Sequence, residues 1–314
     1  MKNNNYEDIV MSHYDKVALE DGASSSSTMK DEYVRNAETE GIINTINAFK
    51  RGKNEKLRIV DVGCGNGYTL SILKNNFPTF EFQGIEKNNE LRAIANKRLK
   101  PLNINVYFGD VLDNLVETHG RSDIVICQRV LINLLNKEDQ IKSIKNVSEL
   151  VKNGGIIILI ECMAESLNHL NDARAEFGLS VILPSYHNLY MNYDMLPSCK
   201  NGFEPFKSLE VPKENFLSSH YYITRVLHDI LLQGRPFIRN SHFVKFLSQA
   251  LPKEIGDYSP LKFFVFKKIE ELPKKRGGVV PTILLLKNTI SLIYSMIWLH
   301  KNHQHYLIDE VLSC

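Results

Sequence analysis

Leu57-Arg58-Ile59-Val60-Asp61-Val62-Gly63-Cys64-Gly65-Asn66-Gly67-Tyr68-Thr69-Leu70 is the stretch whose reading decides the fold of this 314-residue chain. It opens as a short run rich in Val and Ile, the pattern of a strand buried on both faces. Three glycines at alternate positions break the run, and apolar periodicity resumes from Tyr68 to Lys74. Strand, glycine turn and helix in that order make a ligand-binding unit. Glycine lets backbone approach a ligand closely, and a helix N-terminus offers unpaired N–H groups. A glycine-rich turn that holds no ligand is the plain structural alternative.

The spacing narrows the ligand. A dinucleotide fingerprint G-x-G-x-x-G requires glycine at position 68, where Tyr68 stands. The pattern is D-x-G-x-G-x-G over Asp61 to Gly67. In its strand–turn–helix setting this resembles the first motif of the class I S-adenosylmethionine-dependent methyltransferases. The resemblance implies S-adenosylmethionine as cofactor, held in part by Asp61, Gly63, Cys64, Gly65 and Gly67. It also implies a Rossmann-like α/β fold: a doubly wound, seven-stranded, mostly parallel sheet with a helical N-terminal lid and an acceptor-pocket insertion.

Composition sets outer bounds. With 43% hydrophobic residues the chain can bury a sizeable core, and a net charge of +2 gives no global signal for nucleic acid. Cys64, Cys127, Cys162, Cys199 and Cys314 are scattered without a C-x-x-C pair, which reads as free thiols in a reducing compartment. The first residues are polar and show no apolar signal region, so a cytoplasmic enzyme is expected. No cluster has metal-ligand spacing, and a metal-independent enzyme is expected.

Residues 1–50 read as an N-terminal helical lid. Asn3 to Asn5 should fray, and Ser24 to Thr28 is a polar loop. Ser27 or Thr28 is expected to cap a helix over Met29 to Phe49, whose stripe is Val34, Ala37, Ile42, Ile43, Ile46 and Phe49. The run from Ser27 to Asp31, with Arg35 and Glu38 beyond it, is similar to the segment that closes over the cofactor in the family. This makes Arg35 a cofactor-side candidate. A surface ion pair between Arg35 and Glu38, one turn apart, is the competing reading.

Residues 51–273 read as the methyltransferase domain. Phe80 to Glu86 alternates as a second strand and ends on an acid, at the distance from the glycine turn where nucleotide-binding folds place a ribose-binding carboxylate. A carboxylate accepts from both ribose hydroxyls at once. A third strand, Ile104 to Val111, ends in Gly109-Asp110-Val111. Asp110 matches the acid that contacts the adenine amino group in the family, and Val111 is placed beside it; a turn-forming role for Asp110 is the alternative. The fourth strand, Asp123 to Cys127, runs into Gln128-Arg129, with Gln128 assigned to the cofactor side. The D/N/S-P-P-aromatic sequence that holds a planar base in nucleic-acid amino methyltransferases is absent there, which argues against nucleic acid as acceptor. Val151 to Gly155 reads as a turn and Ile156 to Glu161 as the fifth strand. Ligands in such sheets bind beyond the carboxyl ends of the strands, where Gly63 to Gly67, Glu86, Asp110, Gln128, Arg129 and Glu161 all fall.

An insertion over about 162–217 reads as irregular and polar, the place where this fold builds an acceptor pocket. The R-V-L-I-N-L run after the fourth strand, with L-N-x-x-x-x-x-R and H-N-L-Y in the insertion, resembles a bacterial subgroup, some of it associated with surface-saccharide biosynthesis. A small-molecule or saccharide acceptor methylated at oxygen is therefore expected. A hydroxyl acceptor must lose a proton, and His187, between Tyr186 and Asn188, is the candidate general base; a structural loop histidine is the alternative. Arg129 and Arg174 are candidates to hold an acceptor carboxylate or phosphate, or else form ion pairs with Glu161 or Glu176. Tyr221 to Leu227 and Leu261 to Lys267 read as the last two strands.

Residues 274–314 read as a basic linker, Lys274-Lys275-Arg276-Gly277-Gly278, and a hydrophobic helix over Val279 to Leu299 that Lys287 and Asn288 interrupt. A central Lys costs about 2.5–3.5 kcal/mol on insertion. The order of preference is therefore homo-oligomer or core packing, then a membrane surface, then a spanning helix. Two other functions fit the same fold: an aminopropyltransferase-like synthase, and a catalytically silent sensor or partner subunit that binds S-adenosylmethionine.

Overall fold

The computed structural model describes residues 5–24, 27, 29–52, 56–198, 202–238 and 240–269. The linker and helix expected at 274–314 lie outside the described residues, as do Cys199 and Cys314. Two helices come first, α1 (Asn5–Glu20) and α2 (Glu32–Lys50). Then β1 (Arg58–Val62), α3 (Tyr68–Asn76), β2 (Glu81–Ile85), α4 (Asn89–Leu99), β3 (Asn105–Tyr107), α5 (Leu115–His119) and β4 (Ser122–Gln128) alternate. Next are α6 (Lys137–Glu149), β5 (Val151–Cys162), α7 (Ala164–Ala175) and β6 (Phe203–Pro205). α8 (Ser218–Tyr222) passes through a π-helical turn, Ile223–Leu227, into α9 (His228–Leu232); α10 (His242–Ala250) and β7 (Leu261–Lys268) follow.

The seven strands form one sheet in the order β3-β2-β1-β4-β5-β7-β6. β1 to β5 pair in parallel, and β7 runs antiparallel between β5 and β6, in register from Ile156 opposite Lys267 to Cys162 opposite Leu261. This is the expected seven-stranded, mostly parallel sheet. Helices cover both faces, which is why Ile156 to Ile160 is an unbroken apolar run with every residue fully buried. Each such side chain contributes about 1.5–3 kcal/mol by leaving water.

Several expectations are corrected. α2 begins at Glu32 and its cap is Asp31, whose carboxylate accepts from the N–H groups of Tyr33 and Val34; Ser27 does not cap it. The segment Val151 to Gly155 is the start of β5, set off by a register shift against β4, not a turn. The third strand is only three residues long. Residues 167–174, expected irregular, lie in α7, where Leu167, Leu170, Ala173 and Arg174 are buried at helical spacing. Tyr221 to Leu227, expected as a strand, is helical. Its β-branched and aromatic residues favour extended chain, but the buried positions Ser219, His220, Ile223, Thr224 and His228 repeat every three to four residues, so burial overrides propensity. The sixth strand is Phe203–Pro205 instead.

Candidate active site

A cavity opens where β1, β2 and β4 end. Asp61, Gly63, Cys64, Gly65, Glu86, Asp110, Val111, Gln128, Arg129 and Arg35 all line it. Gly67 does not line it; it caps α3. Two of the glycines are forced by geometry. Gly63 has φ +71°, and a Cβ there would stand 2.2 Å from Val130 Cγ2. Gly67 has φ +74°, and a Cβ would meet Leu99 Cδ1 at 2.8 Å. Any side chain at Gly63 would both strain the backbone and displace the loop after β4.

Three buried acids shape the electrostatics. Glu86 closes on the glycine loop: one carboxylate oxygen accepts from Gly65 N–H at 2.8 Å and the other from Asn88 N–H at 2.8 Å. Burial raises its pKa despite those bonds. Asp61, beside it, is pushed up to about 8 by burial and then by the charge of Glu86. Glu161 is pushed to about 7 by burial, although its carboxylate accepts from the N–H groups of Val130 (2.9 Å), Leu131 (3.0 Å) and Ile132 (3.4 Å). That nest fixes the loop after β4. Arg129 begins this loop at φ +55°, a left-handed conformation uncommon for a non-glycine residue.

The pairings expected for the arginines are replaced by others. Arg129 binds both carboxylate oxygens of Glu38, a fully buried residue of α2. Glu38 is therefore not paired with Arg35, and Arg129 not with Glu161. Arg35 stands over the Tyr68 ring, 5.5 Å from its centroid, and its Nε is buried with no partner among the described residues. Arg174 is not brought to the cavity. Its guanidinium donates to Asp229 at 2.7 Å, to the carbonyl of Ser180 at 2.8 Å and to the carbonyl of Arg225.

His187 also stands outside the cavity lining, behind Tyr14, which lines it; their rings meet edge-on at 6.4 Å. His187 stacks on His13 of α1 with centroids 3.7 Å apart. Burial, and then His13, lower its pKa to about 4, and its Nδ1 is buried without a partner among the described residues.

Within the helical lid expected over 1–50, sequence reading placed only the helix over Met29 to Phe49 and did not single out α1. Tyr6, Glu7, Val10, Met11 and Tyr14 form a wall of the cavity. The signal was present as Tyr6, Val10, Tyr14 and Val17, apolar or aromatic at intervals of four, four and three. Lys87 was missed too: it pairs with Asp110 at 2.6 Å and with Glu7, joining α1 to the loop after β3. Nothing local in the sequence announces that bridge. Among the described residues no group of three or more His, Cys, Asp or Glu is placed to hold a metal.

Residues 59–155 match the family model described as a methyltransferase domain. Uncharacterized protein RP028 of Rickettsia prowazekii (strain Madrid E) is 24% identical over 208 residues, which cover 63% of this chain and 81% of that protein. The solved sugar N-methyltransferase KedS8 from Streptoalloteichus sp ATCC 53650 is 21% identical with a TM-score of 0.33, over 39% of this chain and 47% of that one. The magnesium protoporphyrin IX methyltransferase ChlM from Synechocystis PCC 6803 with bound SAH is 14% identical with a TM-score of 0.48, over 85% of this chain and all of that one. The match to KedS8 spans about half of that chain's length. The matched segment contains the glycine loop, Glu86, Asp110 and Arg129, and residues 59–155 are a methyltransferase domain set on the seven-stranded, mostly parallel sheet.

Proposed function

We propose that the chain transfers a methyl group from S-adenosylmethionine to oxygen of a small-molecule or sugar-like acceptor. The observation that carries the reading is the cavity at the carboxyl edge, where the glycine backbone, Glu86, Asp110 and Arg35 converge. The residues suit the cofactor. Gly63 leaves room that a Cβ would fill, Glu86 offers acceptors to ribose hydroxyls, and Asp110 offers one to an amino group. The unpartnered Nε of Arg35 is a donor for the carboxylate of the methionine part.

S-adenosylmethionine supplies an electrophilic methyl group on a positively charged sulfur. What the chain adds is alignment and exclusion of water. α1 and the start of α2 wall the cavity, and the Glu161 nest fixes the loop bearing Arg129. His187, kept neutral by its surroundings, is the proposed proton acceptor for the acceptor hydroxyl. Arg129, committed to Glu38, serves to position that wall. We assign the protein no nucleic-acid partner, and a contact of residues 279–299 with a second copy or a membrane surface belongs to the same proposal.

Calorimetry with S-adenosylmethionine and S-adenosylhomocysteine tests the cofactor half, and absence of binding overturns the reading. Methyl release against sugars, acids and phenols tests the acceptor half. Tight cofactor binding with no turnover on any of them would favour the silent sensor.

A further inference from the structure

α10 and the loop before it carry a pattern that cofactor binding does not use. From Ile230 to Lys253 there is no acidic residue, while Arg235, Arg239, Lys245 and Lys253 are basic. Among them stand large apolar side chains left in water: Leu231 is 52% exposed, Ile238 59%, Phe243 36% and Phe246 69%. Phe243 and Phe246 lie one turn apart on α10, while Val244 and Ser248 face inward. Exposed phenyl groups interleaved with cations are what an interfacial helix presents to anionic lipid, apolar side into the headgroup boundary and cations to phosphate.

Other charges near this face are weak competitors. Lys245 and Lys253 sit 3.6 and 3.4 Å from Glu32 and Glu40 of α2, and Arg235 donates to the carbonyls of Leu231 and Leu232. The two ion pairs are exposed and of little worth in water. The face adjoins the cavity. Tyr33 O–H donates to the carbonyl of Ser248 at 3.1 Å, and Asn240 donates to the carbonyl of Lys30, next to Met29, which lines the cavity. Downstream, Lys274-Lys275-Arg276 followed by the apolar Val279 to Leu299 repeats the same composition in sequence.

We infer that the α10 face docks on an anionic membrane surface, with Phe243 and Phe246 entering the headgroup–acyl boundary and the flanking cations on lipid phosphates. Docking does not depend on which acceptor is methylated.

Flotation of the full-length chain with vesicles of phosphatidylcholine alone, or mixed with phosphatidylglycerol, tests this. The wild type should partition into the mixed vesicles and leave them as salt rises. Phe246→Ser, at a side chain 69% exposed, should lower partition by about tenfold or more, with an unchanged unfolding midpoint. Arg235→Glu with Lys245→Glu should lose the preference for phosphatidylglycerol. Wild-type partition in the serine variant assigns binding to residues 279–299 and overturns the inference. So does equal wild-type partition into both vesicles, wild-type behaviour of the charge variant at every salt concentration, or a dimer that the serine variant dissolves without lipid.

Discussion

Glu161 spends its carboxylate on the backbone of the neighbouring loop, accepting from three successive N–H groups. Glu161→Ala leaves those donors buried without a partner, each costing about 1–3 kcal/mol. A total loss of about 3 kcal/mol or more is expected, read as a lower urea midpoint with the slope unchanged. The expectation for His187 differs in kind. Its ring stacks on His13 and meets Tyr14, both of α1, and makes no ring contact with the glycine loop. Since it is the proposed proton acceptor, His187→Ala should cut turnover by roughly 10²–10⁴ and leave the calorimetric affinity for S-adenosylmethionine unchanged. Wild-type turnover would remove the imidazole from the mechanism. The acids at strand ends were legible in the sequence because a strand's carboxyl end is where this fold keeps its ligands. The partners of Arg129 and Arg174 were not legible. Glu38 is 91 residues from Arg129 and Asp229 is 55 from Arg174, and no local pattern selects one carboxylate among 36 acids.

At the scale of elements, α1 is tied over the cavity by side chains rather than by a deep core of its own. Lys87 bridges Glu7 to Asp110, Tyr6 donates to Asp139, Tyr14 donates to Asn133 at 3.2 Å, and Asn88 donates to Asp15 at 2.6 Å. Elements held in this way open more readily than buried strands. Lys87→Ala should detach the start of α1 from Asp110. We expect faster cofactor release, by about tenfold, together with faster amide exchange in residues 5–20, while exchange in β4 and β5 stays slow. Equal release from variant and wild type would show that the bridge does not hold the cavity closed. The parallel strands were readable because burial on both faces writes itself as apolar runs. The helix through Ile223–Leu227 was not, because its residues prefer extended backbone and only tertiary burial settles the matter.

For the whole molecule, the raised acids and the lowered histidine combine into a pH profile. Asp61 at about 8 and Glu161 at about 7 stand above the unfolded values of about 3.9 and 4.3. The native state therefore holds protons that the unfolded chain gives up, and stability is lost as pH rises through 7 and 8. His187, lowered to about 4, loses stability in the opposite direction, as pH falls below about 6.5. Below 6.5 the two trends oppose each other. Above it the fall is unopposed, at about 1.4 kcal/mol per unit for each titrating group. Urea midpoints across pH 6.5–8 without cofactor should decline, and Asp61→Asn should flatten the decline.

The place of β7 has a consequence for synthesis. It is the last described strand in the chain, yet it sits inside the sheet, paired with β5 on one side and β6 on the other. While a ribosome is still making residues 163–260, the flank of Ile156 to Cys162 has no partner. Only when residues 261–267 have cleared the exit tunnel can that flank close. A nascent chain stalled before Leu261 thus presents a long apolar strand edge, the kind of surface that pairs with a neighbour's.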